Sequence, residues 1–224
     1  MPKLPREKLS NLAYQALKEM ISNHRFQPGT RLNVESLAKE MGVSRTPVWE
    51  AVGRLEQEGL VKNIPNRGVF MDELTPQQAL QLYEVREMLE GMAARLAANN
   101  ITPAGMKRME HNLESQERVV AEGDLVGYSQ LDFEFHAIVY EACGNPYLQE
   151  LLETIKNKMR PLTTHLAPIL PDLYDDHAKL LAAIKAGDPQ TAETAFRSHN
   201  QLMRGHIIEE SKSGEWLPLK EASR

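Results

Sequence analysis

The sequence predicts a mainly α-helical chain built as two domains, and three observations predict it. Apolar residues recur at the three- and four-residue spacing of a helix face through almost the whole chain. Glycine- and proline-containing breaks divide that pattern into pieces of helix length. The β-favouring stretches are two short runs, Leu60 to Ile64 and Gly68 to Met71, so strand is a minor component confined to one place.

Taken in order, the first helix runs from Ser10 to about His24, with Leu12, Ala13, Ala16, Leu17, Met20 and Ile21 on one face, and Gln27, Pro28 and Gly29 end it. A second, short helix begins after Asn33 as N-cap, carries Leu37 and Ala38 inward, and stops at Gly42, which suits a left-handed C-terminal position. Ser44 then caps a third helix, with Pro47 in its first turn and Val48, Ala51, Val52 and Leu55 facing inward, ending near Gly59. The two β-favouring runs follow, separated by Pro65, Asn66, Arg67 and Gly68, and read as a two-stranded wing. Three helices plus a β-hairpin wing make a winged helix-turn-helix, placed at residues 1–74.

The remainder reads as an all-α antiparallel six-helix bundle at residues 75–212, with helices at about 76–98, 103–122, 124–143, 146–166, 171–186 and 189–211. The breaks fall at Thr102-Pro103, Gly123-Asp124, Gly144-Asn145-Pro146, Pro168 to Pro171 and Gly187-Asp188-Pro189. Residues 213–224 are expected to form a tail.

With 224 residues the chain can bury two cores without covalent staples. Cys143 is its single cysteine, which excludes an intrachain disulfide and a cysteine-rich metal site and fits a reducing compartment. The N-terminal MPKLPREKLS has charges and prolines where a secretion signal needs an apolar stretch, and no run approaches the ~18 apolar residues that span a bilayer. The expected location is the cytoplasm, with no membrane partner. Net charge is -5, but it is unevenly placed: through Asp72 the chain carries 11 Lys+Arg and 8 Asp+Glu, leaving 15 and 23 beyond. The first domain is thus basic, at +3, and the second acidic, at -8, a segregation that suits different partners or ordinary solvated surface.

The string GVSRTPVWEAVGRLEQEGLV at 42–61, followed by PNRG at 65–68, resembles the winged helix of GntR-type bacterial transcription regulators. Physically, the third helix would offer its N-terminal turn to the major groove of double-stranded DNA. Arg45 there can reach guanine O6 and N7 or a phosphate, and Ser44 and Thr46 can bond phosphate oxygens. The resemblance implies that Arg67, at a wing tip bounded by Gly68, enters the minor groove; Arg54 is a further basic candidate on the third helix. Taken singly, Ser44 reads equally as a cap, and Arg45 and Arg54 as solvated surface. Where the family usually has arginine this chain has Trp49, which can stack on a sugar, make an apolar contact or simply pack, and which bears on operator choice more than on DNA binding.

Ionisable residues on the inward stripes of the bundle are the other informative feature. Asp132 and His136 lie one turn apart beside Tyr128, Leu131, Phe135 and Val139; His177 falls among Leu173, Leu180, Leu181 and Ile184; His199 is flanked by Ala195, Phe196, Leu202 and Met203. A lone buried histidine is usually satisfied by a hydrogen bond. Three imidazoles and a carboxylate converging from three helices instead suit a divalent cation, since burying them unpartnered is costly. Zinc, nickel and manganese all accept such a donor set. On the first bundle helix Arg86 interrupts the stripe of Leu82, Tyr83, Leu89 and Ala93. A buried guanidinium wants an anion, which is either Glu90 one turn on or a carboxylate ligand gripped bidentately beside the metal.

Asp132-x-x-Phe135-His136, the Gly144-Asn145 turn, His177 with Ala183, Ile184, Gly187 and Asp188, and His199 are similar to the FadR C-terminal type of effector domain, in its six-helix, metal-binding VanR-like branch. The resemblance implies that Asp132, His136, His177 and His199 hold the metal and that a small organic acid or related metabolite binds next to it. Arg86 is carried over as effector-binding on the pattern of Tyr83, Arg86 and Glu90. It also implies a homodimer, and a two-fold protein calls for a pseudo-palindromic operator. The function expected is a sequence-specific transcription regulator, a repressor in the first instance, whose operator affinity responds to a small carboxylate-type effector. The competing readings are a regulator for which the cation itself is the signal, and a metal-dependent enzyme; the chain carries neither a zinc-protease helix motif nor a nucleophile elbow.

Overall fold

A computed structural model describes residues 6–213. From residue 214 on, the expected tail lies outside the described residues. The chain divides after Glu73 into two compact units, with Leu74 packed on the core of the second.

The first unit is α1 (Arg6–Ser22), β1 (Arg31–Leu32), α2 (Val34–Glu40), α3 (Arg45–Gln57), β2 (Val61–Ile64) and β3 (Gly68–Met71). Asn33 starts α2 as the sequence predicts, its side chain accepting from Ser36 N at 3.0 Å. Gly42 turns the chain at φ 66°, a left-handed conformation that glycine adopts without a Cβ penalty. α3 packs across α1, and Leu17, Val48, Ala51, Leu55 and Leu60 are completely buried between the helices and the sheet.

Two details differ from the sequence reading. The sheet has three strands in the order β1-β3-β2, because Arg31 and Leu32 pair with Phe70 and Val69. Two residues are too few to show an alternating pattern, so β1 is visible only once β3 is there to pair with it. Ser44 occupies the N-cap position of α3 with extended backbone, but its side chain makes no cap hydrogen bond.

The second unit is α4 (Pro76–Asn100), α5 (Pro103–Glu122), α6 (Leu125–Ala142), α7 (Pro146–Lys158), α8 (Leu170–Lys185) and α9 (Pro189–Ser213). Thr75 and Gln78 form a reciprocal capping box at the start of α4, and Thr102, Asp124 and Asn145 cap the next three helices through their side chains. The helix expected at 146–166 ends at Lys158 and gives way to two 3-10 segments, Arg160–His165 and Ala167–Ile169. Pro161 has no N–H to return to the preceding turn and disfavours the helical conformation at Arg160, so the α-helix stops before it.

α4 and α9 run along each other. At Gly91 a Cβ would lie 2.9 Å from Arg197 Nε, so that position has no room for a side chain unless Arg197 moves. Two apolar clusters fill the unit. One centres on Phe135, Val139, Leu180 and Phe196, the other on Tyr83, Tyr128, Met159, Leu173 and Met203. His177 stacks on Phe135 of the first cluster, with ring centroids 4.3 Å apart, and lies parallel to Tyr128 of the second. The ionisable residues therefore sit at the seam between the clusters.

Candidate metal centre and DNA-binding surface

In the first unit, Ser44, Arg45 and Thr46 are exposed at the start of α3. Amides at a helix start have no partner one turn back, and the helix dipole leaves that end partly positive, so the turn is suited to anionic oxygens. Trp49, on the next turn, is 44 % exposed and presents an apolar ring to solvent. At the wing, Asn66 adopts φ 62° and Gly68 φ 107°, which puts Arg67 at an exposed tip. A Cβ at Gly68 would stand 3.0 Å from Arg31 Nε, so β1 brings a second arginine beside the wing, one that the sequence reading missed.

Arg54 is placed differently from the other DNA candidates. It is half-buried, its Nη1 donates to Asn11 Oδ1 at 2.7 Å, and its guanidinium lies 3.7 Å from the centroid of the Tyr14 ring. These contacts hold α3 against α1 and turn the side chain back onto its own domain.

In the second unit, α6 carries Asp132 and His136, α8 carries His177 and α9 carries His199. All four are buried, and one donor atom from each lies within 4.8 Å of all the others. His136 Nε2 is 3.3 Å from His177 Nε2 and 3.4 Å from Asp132 Oδ1, while His177 Nε2 is 3.7 Å from the same oxygen. Ligands about 2.0–2.2 Å from a shared ion lie about 3.3–3.6 Å apart in a tetrahedral arrangement, close to these separations.

The protonation pattern suits a cation as well. His177 Nδ1 donates to Gln116 Oε1 at 2.8 Å, and His136 Nδ1 donates to Glu90 Oε1 at 2.6 Å, so both Nε2 lone pairs point into the centre. His199 Nδ1 is buried with no hydrogen-bond partner among the described residues, an arrangement that a metal would relieve. Burial, reinforced by the neighbouring imidazoles, pushes the pKa of His177 well below its ordinary value and that of His199 down to about 3, so both rings are neutral and able to ligate. Burial alone would raise the pKa of Asp132, but Lys156 and the histidines outweigh it and hold the carboxyl ionised. The residues present therefore fit a divalent cation.

Around these four lies a set of partners that the sequence reading largely missed. Glu90 accepts from His136, from Tyr140 Oη and from Asn200 Nδ2 at 2.7 Å, and Arg86 Nε lies 2.9 Å from its Oε1. Gln116 is itself oriented by donating to Asn112 Oδ1 at 2.7 Å. Arg86 is thus paired with Glu90, and it also faces a cavity lined by Tyr83, Asp132, Lys156, His199 and Met203, so its two sequence-level alternatives are compatible. The cavity holds about 30 Å³, enough for about one water. Lys156 is buried, bonds Asp132, and has its pKa pushed by burial down to about 7. Its signal in the sequence was a lysine on the same helix face as Leu148 and Leu152, at spacings of four and eight.

Among the described residues no helix is long and apolar enough to cross a membrane. Residues 9–71 match the family described as bacterial regulatory proteins, gntR family, and residues 81–202 match the FCD domain. The chain is 30 % identical over 179 residues to the HTH-type transcriptional regulator McbR of Escherichia coli strain K12, covering 78 % of this chain and 81 % of that one. The solved structure of E. coli McbR/YncC superposes with a TM-score of 0.80 at 26 % identity, covering 91 % of this chain and 98 % of that chain. The HTH-type transcriptional repressor RspR of the same strain is 26 % identical over 219 residues, 95 % of each chain. With a winged helix-turn-helix that offers basic and polar side chains outward, followed by an FCD helical domain, this chain belongs to the gntR family and is a DNA-binding transcriptional regulator rather than an enzyme.

Proposed function

We propose that the protein is a cytoplasmic, homodimeric repressor whose affinity for a pseudo-palindromic operator is set by a small organic acid bound beside a divalent metal in the helical domain. One observation carries this reading: Asp132 and His199, two of the four converging donors, line the same cavity as Arg86. When bound, the cation supplies a Lewis-acidic partner for an effector oxygen. Arg86, kept charged by Glu90, supplies a guanidinium fork for a carboxylate. Tyr83, Met159, Leu173 and Met203 are among the side chains that line the rest of the cavity. The repressor assignment follows the name of the relative RspR. The dimer is supported by Val85, Met88 and Met92, which form an exposed apolar row on α4 at helical spacing.

An effector acts on operator affinity only by binding one state of the protein more tightly than another. Metal analysis of the wild type against a His177→Ala/His199→Ala variant, followed by thermal shift with small carboxylic acids, tests the reading. Near-stoichiometric metal that the variant lacks, with acids stabilising only the loaded wild type, is the expected result. A metal-free, folded wild type would remove the metal and leave only the DNA-binding regulator.

The narrowness of the cavity favours a second reading, in which the cation itself is the signal. Operator binding that responds to metal and is indifferent to every acid would select it.

A further inference from the structure

β1 runs antiparallel to β3 with Arg31 opposite Phe70, and β2 lies on the other side of β3 with Lys62 opposite the same residue. Residues directly opposite one another in a sheet point to the same face. Leu32 and Val69, next along their strands, point to the core and are 3 % and 1 % exposed. Arg31, Phe70 and Lys62 therefore form a row on the outer face, with the two cations exposed on either side of a half-buried ring.

The two cations of that row are placed differently. Lys62 forms an ion pair with Asp72, which takes up its charge within the domain. Among the described residues the Arg31 guanidinium has neither a carboxylate partner nor a hydrogen bond. Its side chain instead runs along the sheet toward the wing turn: a Cβ at Gly68 would stand 3.0 Å from its Nε and 3.3 Å from its Nη2. Gly68 is two residues nearer the turn than Phe70, so a guanidinium from β1 is carried to the base of the tip on which Arg67 stands. The missing side chain at Gly68 leaves the space that this guanidinium occupies, a second reason for glycine beside its φ of 107°.

An exposed guanidinium without a counter-charge is a fork of N–H donors that matches two oxygens of a phosphate. The grooves of duplex DNA are walled by the sugar-phosphate backbones, so a tip that enters a groove brings its own base against phosphates rather than base edges. We propose that Arg31 is a phosphate-binding residue, gripping the backbone at the wall of the groove that Arg67 would enter. This rests on the reading of the wing tip as part of the DNA-binding surface. Phosphate contacts fix position and orientation without reading sequence directly. Arg31 thus strengthens binding to every duplex alike, and the choice of operator stays with the tip and α3.

The test uses the full chain and two labelled duplexes of equal length, one enriched by the wild type from a random-sequence pool and one unselected. Both are titrated by fluorescence anisotropy over a range of salt concentrations. Arg31→Ala is expected to weaken binding to both duplexes by about tenfold, and to lower the slope of log affinity against log salt by about 0.9 for each Arg31 on the duplex. Thermal unfolding should not change. Arg31→Gln keeps the stem on the sheet while removing the charge, and gives the same comparison if the Ala variant loses stability. Lys62→Ala is expected to leave the slope as it is, because Asp72 already balances that charge. An altered slope in Arg67→Ala with none in either Arg31 variant would overturn the proposal. Equal losses in Arg31→Ala and Lys62→Ala would overturn it too, making the outer face a diffuse basic surface. Selection from the random pool repeated with Arg31→Ala should return the wild-type consensus; a different consensus would replace phosphate binding by readout of bases or groove width. If neither Arg31→Ala nor Arg67→Ala changes the slope, the wing does not touch DNA and the underlying reading of the tip falls instead.

Discussion

Gln116 on α5 accepts a hydrogen bond from His177 Nδ1 on α8 at 2.8 Å, and its amide is locked in that sense by donating to Asn112. The bond selects the His177 tautomer whose Nε2 lone pair faces Asp132 and His136. A partner of this kind raises ligand basicity and fixes ring orientation, and losing it typically lowers metal affinity about 10- to 100-fold. Gln116→Leu is therefore expected to weaken metal binding by about that factor, measured by competition with a chromogenic chelator, while circular dichroism stays unchanged. Unaltered affinity would show that His177 is not held for a metal.

Glu90 is buried and receives groups from three other side chains as well as the Arg86 guanidinium. Removing it leaves Arg86 buried with its counter-charge gone. Glu90→Ala is expected to destabilise the helical domain by about 3–5 kcal/mol, read from urea unfolding. A loss below about 1 kcal/mol would mean that water reaches Arg86.

The buried histidines set the acid limit of the metal-free protein. His199 takes a proton at about 3 when folded against 6.5 ordinarily, and His177 is depressed in the same direction. Between those values the unfolded chain binds more protons than the folded one, so stability falls as pH falls from about 6.5 toward 3. Ionised Asp132 and Glu90, also depressed, add to the loss at the lower end. Chelated protein should show a urea midpoint that declines steadily from pH 7 to pH 4, and His199→Phe should flatten the decline. A midpoint that rises on acidification would show the rings charged in the fold.

Arg45 and Arg54 lie on one helix and are expected to behave differently. Exposed Arg45→Ala should lower operator affinity by about 1–3 kcal/mol with thermal stability unchanged. Arg54→Ala removes the bond to Asn11 and the contact with Tyr14, and should lower stability of the first unit by about 1 kcal/mol. Gel-shift titration beside thermal unfolding separates the two; a reversed pattern would mean that Arg54 leaves Tyr14 to reach DNA.

Gly68 joins a left-handed φ of 107° to a close approach by Arg31. Gly68→Ala should cost about 1–2 kcal/mol in urea unfolding and weaken operator binding by displacing Arg67 and Arg31 together. A neutral effect on both would show that the wing tip relaxes freely.

Local physics made much of the protein legible in the sequence. The N-caps Asn33, Thr102, Asp124 and Asn145 and the turn at Gly42 are short-range features, and the helices start and stop where these residues occur. Asp132, His136, His177 and His199 were legible because each is a polar residue on an apolar stripe, and four such intrusions face inward together. Pro161 was a local signal too: it lay within the helix expected at 146–166, and its missing N–H ends α7 early.

What the tertiary structure decided is which polar groups meet. Gln116 and His177 are 61 residues apart, and Glu90 and Asn200 are 110 apart. Nothing in helical spacing marks such pairs, because periodicity assigns a face without naming the partner across the core. The same holds for Arg54, which spacing alone left open to DNA and which Tyr14 and Asn11 claim, and for Lys156, whose place beside Asp132 depends on α7 packing against α6. Secondary structure and inward faces follow from interactions within a few residues; hydrogen-bond partners and charge balance follow from desolvation, which exists only after the helices have closed over them.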